Sequence, residues 1–204
     1  MAVNTTQGDL TPRQHEYFRC VSQLAWDIET SGLDWRTDSI GTCQLTDGSR
    51  TVIVQMNGHH PDLLADLLQH PAIQKVFHHA MFDLRFMSHQ WGVTPANIAC
   101  TKIASKILDP NAPTEAHSLK ALLRGRLGVR ISKAQQQSDW LNAQLSDDQL
   151  KYAATDVAHL SRLLAVLLDE LRQLGRLHLA LESFAYVPAR VQLDISGSGD
   201  VFTY

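Results

Sequence analysis

The chain has 204 residues, 44% hydrophobic and 19% charged, with a net charge of −3; this fits one ordinary domain with a full core and excludes a disordered chain. Three scattered cysteines, Cys20, Cys43 and Cys100, exclude a disulfide framework and a zinc knuckle and suit a reducing compartment. The longest apolar run, residues 163–168, is too short to cross a bilayer, and the start lacks a signal-peptide plan, so a soluble cytoplasmic protein is expected.

In chain order, residues before Leu10 carry no strong signal and are expected to fray. Thr11-Pro12 opens a short helix through Cys20, with proline in its first turn. Residues 24–29, closed by Ser31-Gly32, read as a short buried strand. A second strand is expected over residues 40–45 and a third over 51–54, with Asp47-Gly48 as a hairpin signal between them. Pro61 starts a helix bearing Leu63, Leu64, Leu67 and Leu68. Residues 75–78 form a fourth strand, followed at once by a helix from Ala80 to Trp91 that Gly92 closes. A fifth, short strand over 98–100 leads into a helix with Ile103, Ala104, Ile107 and Leu108.

Beyond the loop at 109–113, Ser118 caps a helix bearing Leu119, Leu122 and Leu123, which stops near Gly128. The polar stretch 132–144 yields no assignment. The capping box Ser146-Asp147-Asp148-Gln149 opens a long helix to about Leu174, with an apolar stripe from Leu150 through Ala153, Val157, Leu160, Leu164 and Leu167 to Leu171. A last helix around 176–185 precedes a tail at 196–200 that reads as flexible. The expected fold is α/β, one domain over 1–204: a mixed five-stranded sheet flanked by helices.

The chemistry concentrates in a few acids. On a strand, Asp27 and Glu29 share one face and Ile28 takes the other. Two unit charges ~4 Å apart repel by about 4 kcal/mol at an effective dielectric near 20. Two readings fit such a pair: solvated acids at a strand edge, or a site for a divalent cation. Asp83 falls in the first turn of its helix, where a negative charge is favoured as a cap, but it also follows a strand end, where α/β sheets assemble their sites. Tyr152 and Asp156 sit one turn apart beside the small residues Ala153, Ala154 and Thr155; surface exposure or a close-packed site both fit them. Asp27, Glu29, Asp83, Asp156 and Tyr152 together supply what a two-metal phosphoryl-transfer site needs: several carboxylates and a group that orients water.

Asp27-x-Glu29 on a first strand, Asp83 after His78-His79-Ala80-Met81-Phe82, and Tyr152-x-x-x-Asp156 resemble the three motifs of the DEDD 3′→5′ exonucleases, tyrosine subclass. The similarity is greatest to the ribonuclease D subfamily, through residues 117–123, Gln136-Gln137-Ser138-Asp139-Trp140 and 145–156, and spans roughly residues 24–171. The resemblance implies an RNase H-like fold and two divalent ions, Mg²⁺ or Mn²⁺. It also implies a bridging role for Asp27, a water-activating site completed by Glu29 and Asp156, and a second metal held by Asp83 through water. Thr30 and Leu33 match positions that contact the terminal nucleotide, Leu33 as a wedge against its base. His79 stands where many members carry Asn; donation to a phosphate and packing against the strand are both open. Residues after Leu174 do not reach the length of the helical RNA-binding domains that follow the catalytic domain in larger members.

Residues 102–133 carry seven bases against Asp109 and Glu115, a balance of +5 that leaves −8 for the rest. Lys120 and Arg124 share a helix face there and are candidates for a phosphate track, with plain solvation as the alternative. No Cys or His pair has zinc spacing, and Trp140 and Phe82 read as core. The expectation is a metal-dependent 3′→5′ exoribonuclease that trims single-stranded RNA 3′ ends to nucleoside 5′-monophosphates. A single-strand DNA 3′→5′ exonuclease and a catalytically inactive RNA-binding relative are the alternatives.

Overall fold

A computed structural model of the chain describes residues 2–56, 58–132, 134–135 and 137–203. Lys133 of the basic stretch and Gln136 of the ribonuclease D-like segment lie outside these described residues. The elements are β1 (Ala2–Gln7), α1 (Pro12–Arg19), β2 (Gln23–Thr30), β3 (Ile40–Thr46), β4 (Arg50–Gln55), α2 (Asp62–Gln69), β5 (Gln74–Phe77), α3 (Ala80–Trp91), β6 (Ile98–Cys100), α4 (Thr101–Leu108), α5 (Leu119–Leu122), α6 (Asp147–Ala158), α7 (Leu160–Gln173) and α8 (Leu177–Ile195). A 3₁₀ turn at Thr114–His117 precedes α5, and a wide π turn at Leu123–Leu127 follows it, ended by Gly128 at φ 67°. Among the described residues no helix is long and apolar enough to cross a membrane.

The sheet is mixed, as expected, but has six strands rather than five, in the order β1-β4-β3-β2-β5-β6. β2, β3 and β4 run antiparallel, whereas β1–β4, β2–β5 and β5–β6 pair in parallel. The extra strand is β1, formed by residues expected to fray. It is a polar edge strand, Ala-Val-Asn-Thr-Thr-Gln, whose pairing with β4 is made by backbone rather than by an apolar pattern. The core strands form for the reason their composition indicates: Leu24, Ala25, Trp26, Ile28, Cys43, Leu45, Val52 and Val54 are all buried. Trp26 donates its indole N–H to Cys43 Sγ at 2.7 Å.

Two helices differ from expectation. The long stripe-bearing helix breaks at His159 (φ −117°), which ends α6 and begins α7. Ala153, Val157, Leu160, Leu164, Leu167 and Leu171 are buried on both sides of that break, so the packing stripe continues across it. α8 runs ten residues past the expected end, straight through Pro188, because Ala180, Phe184, Val187 and Val191 keep one buried face. That face packs on α3, α4, α7 and β6. The tail is folded back rather than free: Arg190 pairs with Asp200 at 3.5 Å, and the Phe202 ring lies 5.6 Å from that of Tyr186.

Candidate active site

Three elements converge at the end of β2. In the antiparallel register Asp27 faces Gln44 and Glu29 faces Thr42, so both acids lie on the face that the start of α6 covers. Gln44 donates its amide to Asp27 Oδ2 at 2.6 Å and accepts from the Thr42 hydroxyl at 3.0 Å. α3 begins two residues after β5 and brings Asp83 in its first turn, 2% exposed, where Oδ1 accepts the Ile28 backbone N–H at 3.2 Å. α6 is started by the predicted capping box, Ser146 with Gln149, and presents Tyr152 and Asp156 one turn apart. The Asp156 carboxylate lies close enough to the Tyr152 hydroxyl to act on it electrostatically. One carboxylate oxygen each from Asp27, Glu29 and Asp156 lies within 4.8 Å of the others. Asp83 is adjacent but outside that trio, turned toward the β2 backbone.

The electrostatics follow from the crowding. Burial, then the charges of Asp83, Glu29 and Asp156, push the Asp27 carboxyl well above the usual range, with the Gln44 bond opposing. Burial, then Asp156 and Asp83, raise Glu29 to about 9. Burial raises Asp83 to about 7 against the pull of two backbone N–H groups. The Tyr152 phenol is also raised, by burial first and by Asp156 and Glu29 after it, so it keeps its proton at neutral pH. Carboxylates that raise one another's affinity for a proton also favour a compact divalent cation, and an all-oxygen donor set suits Mg²⁺ or Mn²⁺. Asp27, Glu29 and Asp156 therefore fit such an ion, with Asp83 placed to support it.

The acids open into a cleft of about 860 Å³. Thr30, Leu33, His79 and Lys120 all line it, as do Lys102, Ser118, Gln137 and Ser138. Leu33 stands 84% exposed at the rim, on a loop tightened by the Thr30 hydroxyl, which donates to Gly32 O at 2.6 Å. A Cβ at Gly32 would overlap the Asp38 carboxylate, so this turn admits only glycine without rearrangement. His79 lies parallel to the Phe82 ring at 6.1 Å. The ring has an open face, yet desolvation by the surrounding protein, then Lys102, Arg85 and Lys106, hold its pKa down to about 4 and so keep it neutral. Arg124 is exposed and does not line the cleft, unlike Lys120 on the same helical stretch. Sequence reasoning missed Gln44 and Thr42, whose signal was the alternating polar positions of Ile-Gly-Thr-Cys-Gln-Leu-Thr in a buried strand.

A 3′-5′ exonuclease family matches residues 11–172. Ribonuclease D of Gluconacetobacter diazotrophicus is 35% identical over 136 residues, which cover 66% of this chain and 34% of that protein. The chain thus spans about a third of that relative's length. Among solved structures, Brucella melitensis NrnC with bound Mg²⁺ superposes with a TM-score of 0.90 at 34% identity, covering 100% of both chains. The same protein bound to pGG gives a TM-score of 0.91 at 35% identity, covering 100% of this chain and 99% of that one.

Proposed function

The chain belongs to the 3′-5′ exonuclease family that matches residues 11–172, and from that premise we propose that it is a metal-dependent 3′→5′ exoribonuclease. It would trim single-stranded RNA 3′ ends and release nucleoside 5′-monophosphates. One observation carries the reading: oxygens of Asp27, Glu29 and Asp156, from two elements more than a hundred residues apart, gather within 4.8 Å of one another.

Two divalent ions held by Asp27, Glu29, Asp83 and Asp156 would supply the Lewis acidity that polarises the scissile phosphodiester and activates water at neutral pH. Asp27, braced by Gln44, would be shared by the two ions. Tyr152, kept protonated by burial and by the nearby Asp156, orients the attacking water rather than taking its proton. Leu33 wedges against the terminal base at the cleft rim, and Thr30 lies beside it. Neutral His79 donates to a substrate phosphate and Lys120 offers it a positive charge, while Arg124 meets RNA outside the cleft. Residues 1–204 act as one exonuclease unit, a reading supported by α8 packing on α3, α4 and β6.

A shorter substrate has specific support: a solved relative of matching length is bound to pGG, so short oligoribonucleotides belong in the substrate range. The same acids would serve a single-strand DNA exonuclease, and discrimination rests on the 2′-OH. A non-catalytic RNA-binding relative gains nothing from four acids beside a phosphate backbone. RNA and DNA strands labelled at the 3′ or the 5′ end, incubated with Mg²⁺ or Mn²⁺, test the proposal. Release of 5′-monophosphates from RNA 3′ ends is expected; preferential digestion of DNA would overturn the RNA assignment.

A further inference from the structure

Asp27 and Glu29 are fixed by their strand, but Tyr152 and Asp156 arrive on α6. Their distance from Asp27 therefore depends on how deeply α6 settles on the sheet. That depth is set by a small apolar cluster separate from the main core: Ile53 of β4, Trp140 and Ala153, each at most 1% exposed, with Leu150 and Tyr152 packed against them. Trp140 is the one large side chain of the trio. Its ring lies 6.0 Å from that of Tyr152, tilted by 42°.

The backbone that carries the ring has no slack behind it. Gly41 is the residue skipped where the β2–β3 register shifts between Glu29 and Thr30, and a Cβ there would overlap the Trp140 carbonyl. Flanking backbone is tied on both sides: Gln149 donates to Asp139 O at 3.0 Å, and Gln55 to Asn142 O at 2.6 Å. Gln149 is also the third residue of α6 and part of its capping box, so the tie links the Trp140 segment to the helix that carries the tyrosine. Meanwhile the buried Trp140 indole N–H has no partner among the described residues.

We infer that Trp140, seated on Gly41, is a positioning residue for the nuclease reaction: it sets the seat of α6 and thereby aims the Tyr152 hydroxyl across Asp156 into the acid cluster. This rests on the water-orienting role proposed for Tyr152. The test is a double-mutant cycle on the full chain, with a short 5′-labelled single-stranded RNA and Mn²⁺ as substrate and metal. Trp140→Leu is expected to lower kcat by about tenfold with KM changed less than about twofold, because substrate contacts stay while orientation is lost. Trp140→Phe, which restores a flat ring, is expected to recover most of that loss. Combining Trp140→Leu with Tyr152→Phe should be no slower than Tyr152→Phe alone.

Losses that multiply in the double variant would show that Trp140 acts without Tyr152 and would overturn the inference while leaving the nuclease reading intact. Should Trp140→Leu melt too low to assay, the cycle is run with Gly41→Ala, whose Cβ would press on the Trp140 carbonyl and shift the segment that carries the ring; non-additivity with Tyr152→Phe again supports the inference and multiplied losses again overturn it. A Tyr152→Phe chain with wild-type kcat would remove the hydroxyl's role, and the positioning inference would fall with it.

Discussion

Lys75 and the acids around Asp27 lie near opposite ends of β2, and their buried charge is resolved in opposite ways. Lys75, at the start of β5 and level with Leu24 of β2, is fully buried and donates its ammonium to His70 O at 2.7 Å. Burial lowers its pKa to about 7, so a single proton and one carbonyl settle the site from within the chain. At the other end of β2, Asp27, Glu29 and Asp156 crowd together with Asp83 beside them; beyond burial, the charges of Asp83, Glu29 and Asp156 raise the proton affinity of Asp27, and those of Asp156 and Asp83 raise that of Glu29. Gln44 and the Ile28 N–H offset only part of this. The lysine is closed on the protein, whereas the acids face a cleft open to solvent and are relieved by what enters it. That contrast separates a buried charge settled within the chain from the crowded acids on which the proposed function rests.

The comparison breaks most sharply at Asp27. Asp27→Asn keeps the shape and is expected to cut turnover by at least about 10³-fold. The same change should raise the melting temperature of the metal-free chain by removing a repelling carboxylate. Unchanged turnover in a labelled-RNA assay would remove the site. Next, Tyr152→Phe should lower kcat by about 10²-fold with KM unmoved, as read by steady-state kinetics.

Stability against pH sharpens the contrast through its sign. Glu29 moves from 4.5 to about 9 on folding, so the folded state binds the proton more tightly. Its contribution to the stability of the metal-free chain is fully present below about 4.5 and is lost as pH climbs toward 9. Added Mn²⁺ should raise the melting temperature, and by more at pH 8 than at pH 6. A metal-induced shift of equal size at both pH values would contradict the crowding argument. Lys75 has the opposite slope. Its folded pKa, about 7 against 10.5, makes the chain gain stability as pH rises between those values. Of smaller effect, Leu33→Ala at the exposed rim should raise KM a few-fold without moving the melting temperature. Smallest of all, Lys75→Met should leave turnover unchanged, shift the melting temperature by less than about 4 °C and abolish the alkaline gain.

The acid residues were legible in the sequence because each sits at a marked boundary: Asp27 and Glu29 at a strand end before Ser31-Gly32, Asp83 just inside a helix start, and Tyr152 with Asp156 at helical spacing behind a capping box. Their convergence was a matter of topology, which the motif order anticipated. Other features left no local trace. β1 is polar and gains order only from β4. The break at His159 is invisible because the leucine stripe continues across it, and α8 passes Pro188 because Val187 and Val191 hold it to the core. Gln44 reads as a surface residue in isolation; only the register with β2 shows that it serves Asp27. Lys120 and Arg124 share a charge and a helical stretch, yet only Lys120 lines the cleft, a distinction that depends on how α5 is seated.

The claim on which the rest depends is that carboxylates distant in sequence form one cation site. It is tested most directly by titrating the metal-free chain with Mn²⁺ and following free ion by electron paramagnetic resonance, for the wild type and for Asp27→Asn. Saturable binding of two ions per chain, lost or reduced in Asp27→Asn, is the result predicted. Binding that Asp27→Asn leaves untouched, or no saturable binding in the wild type, would contradict it.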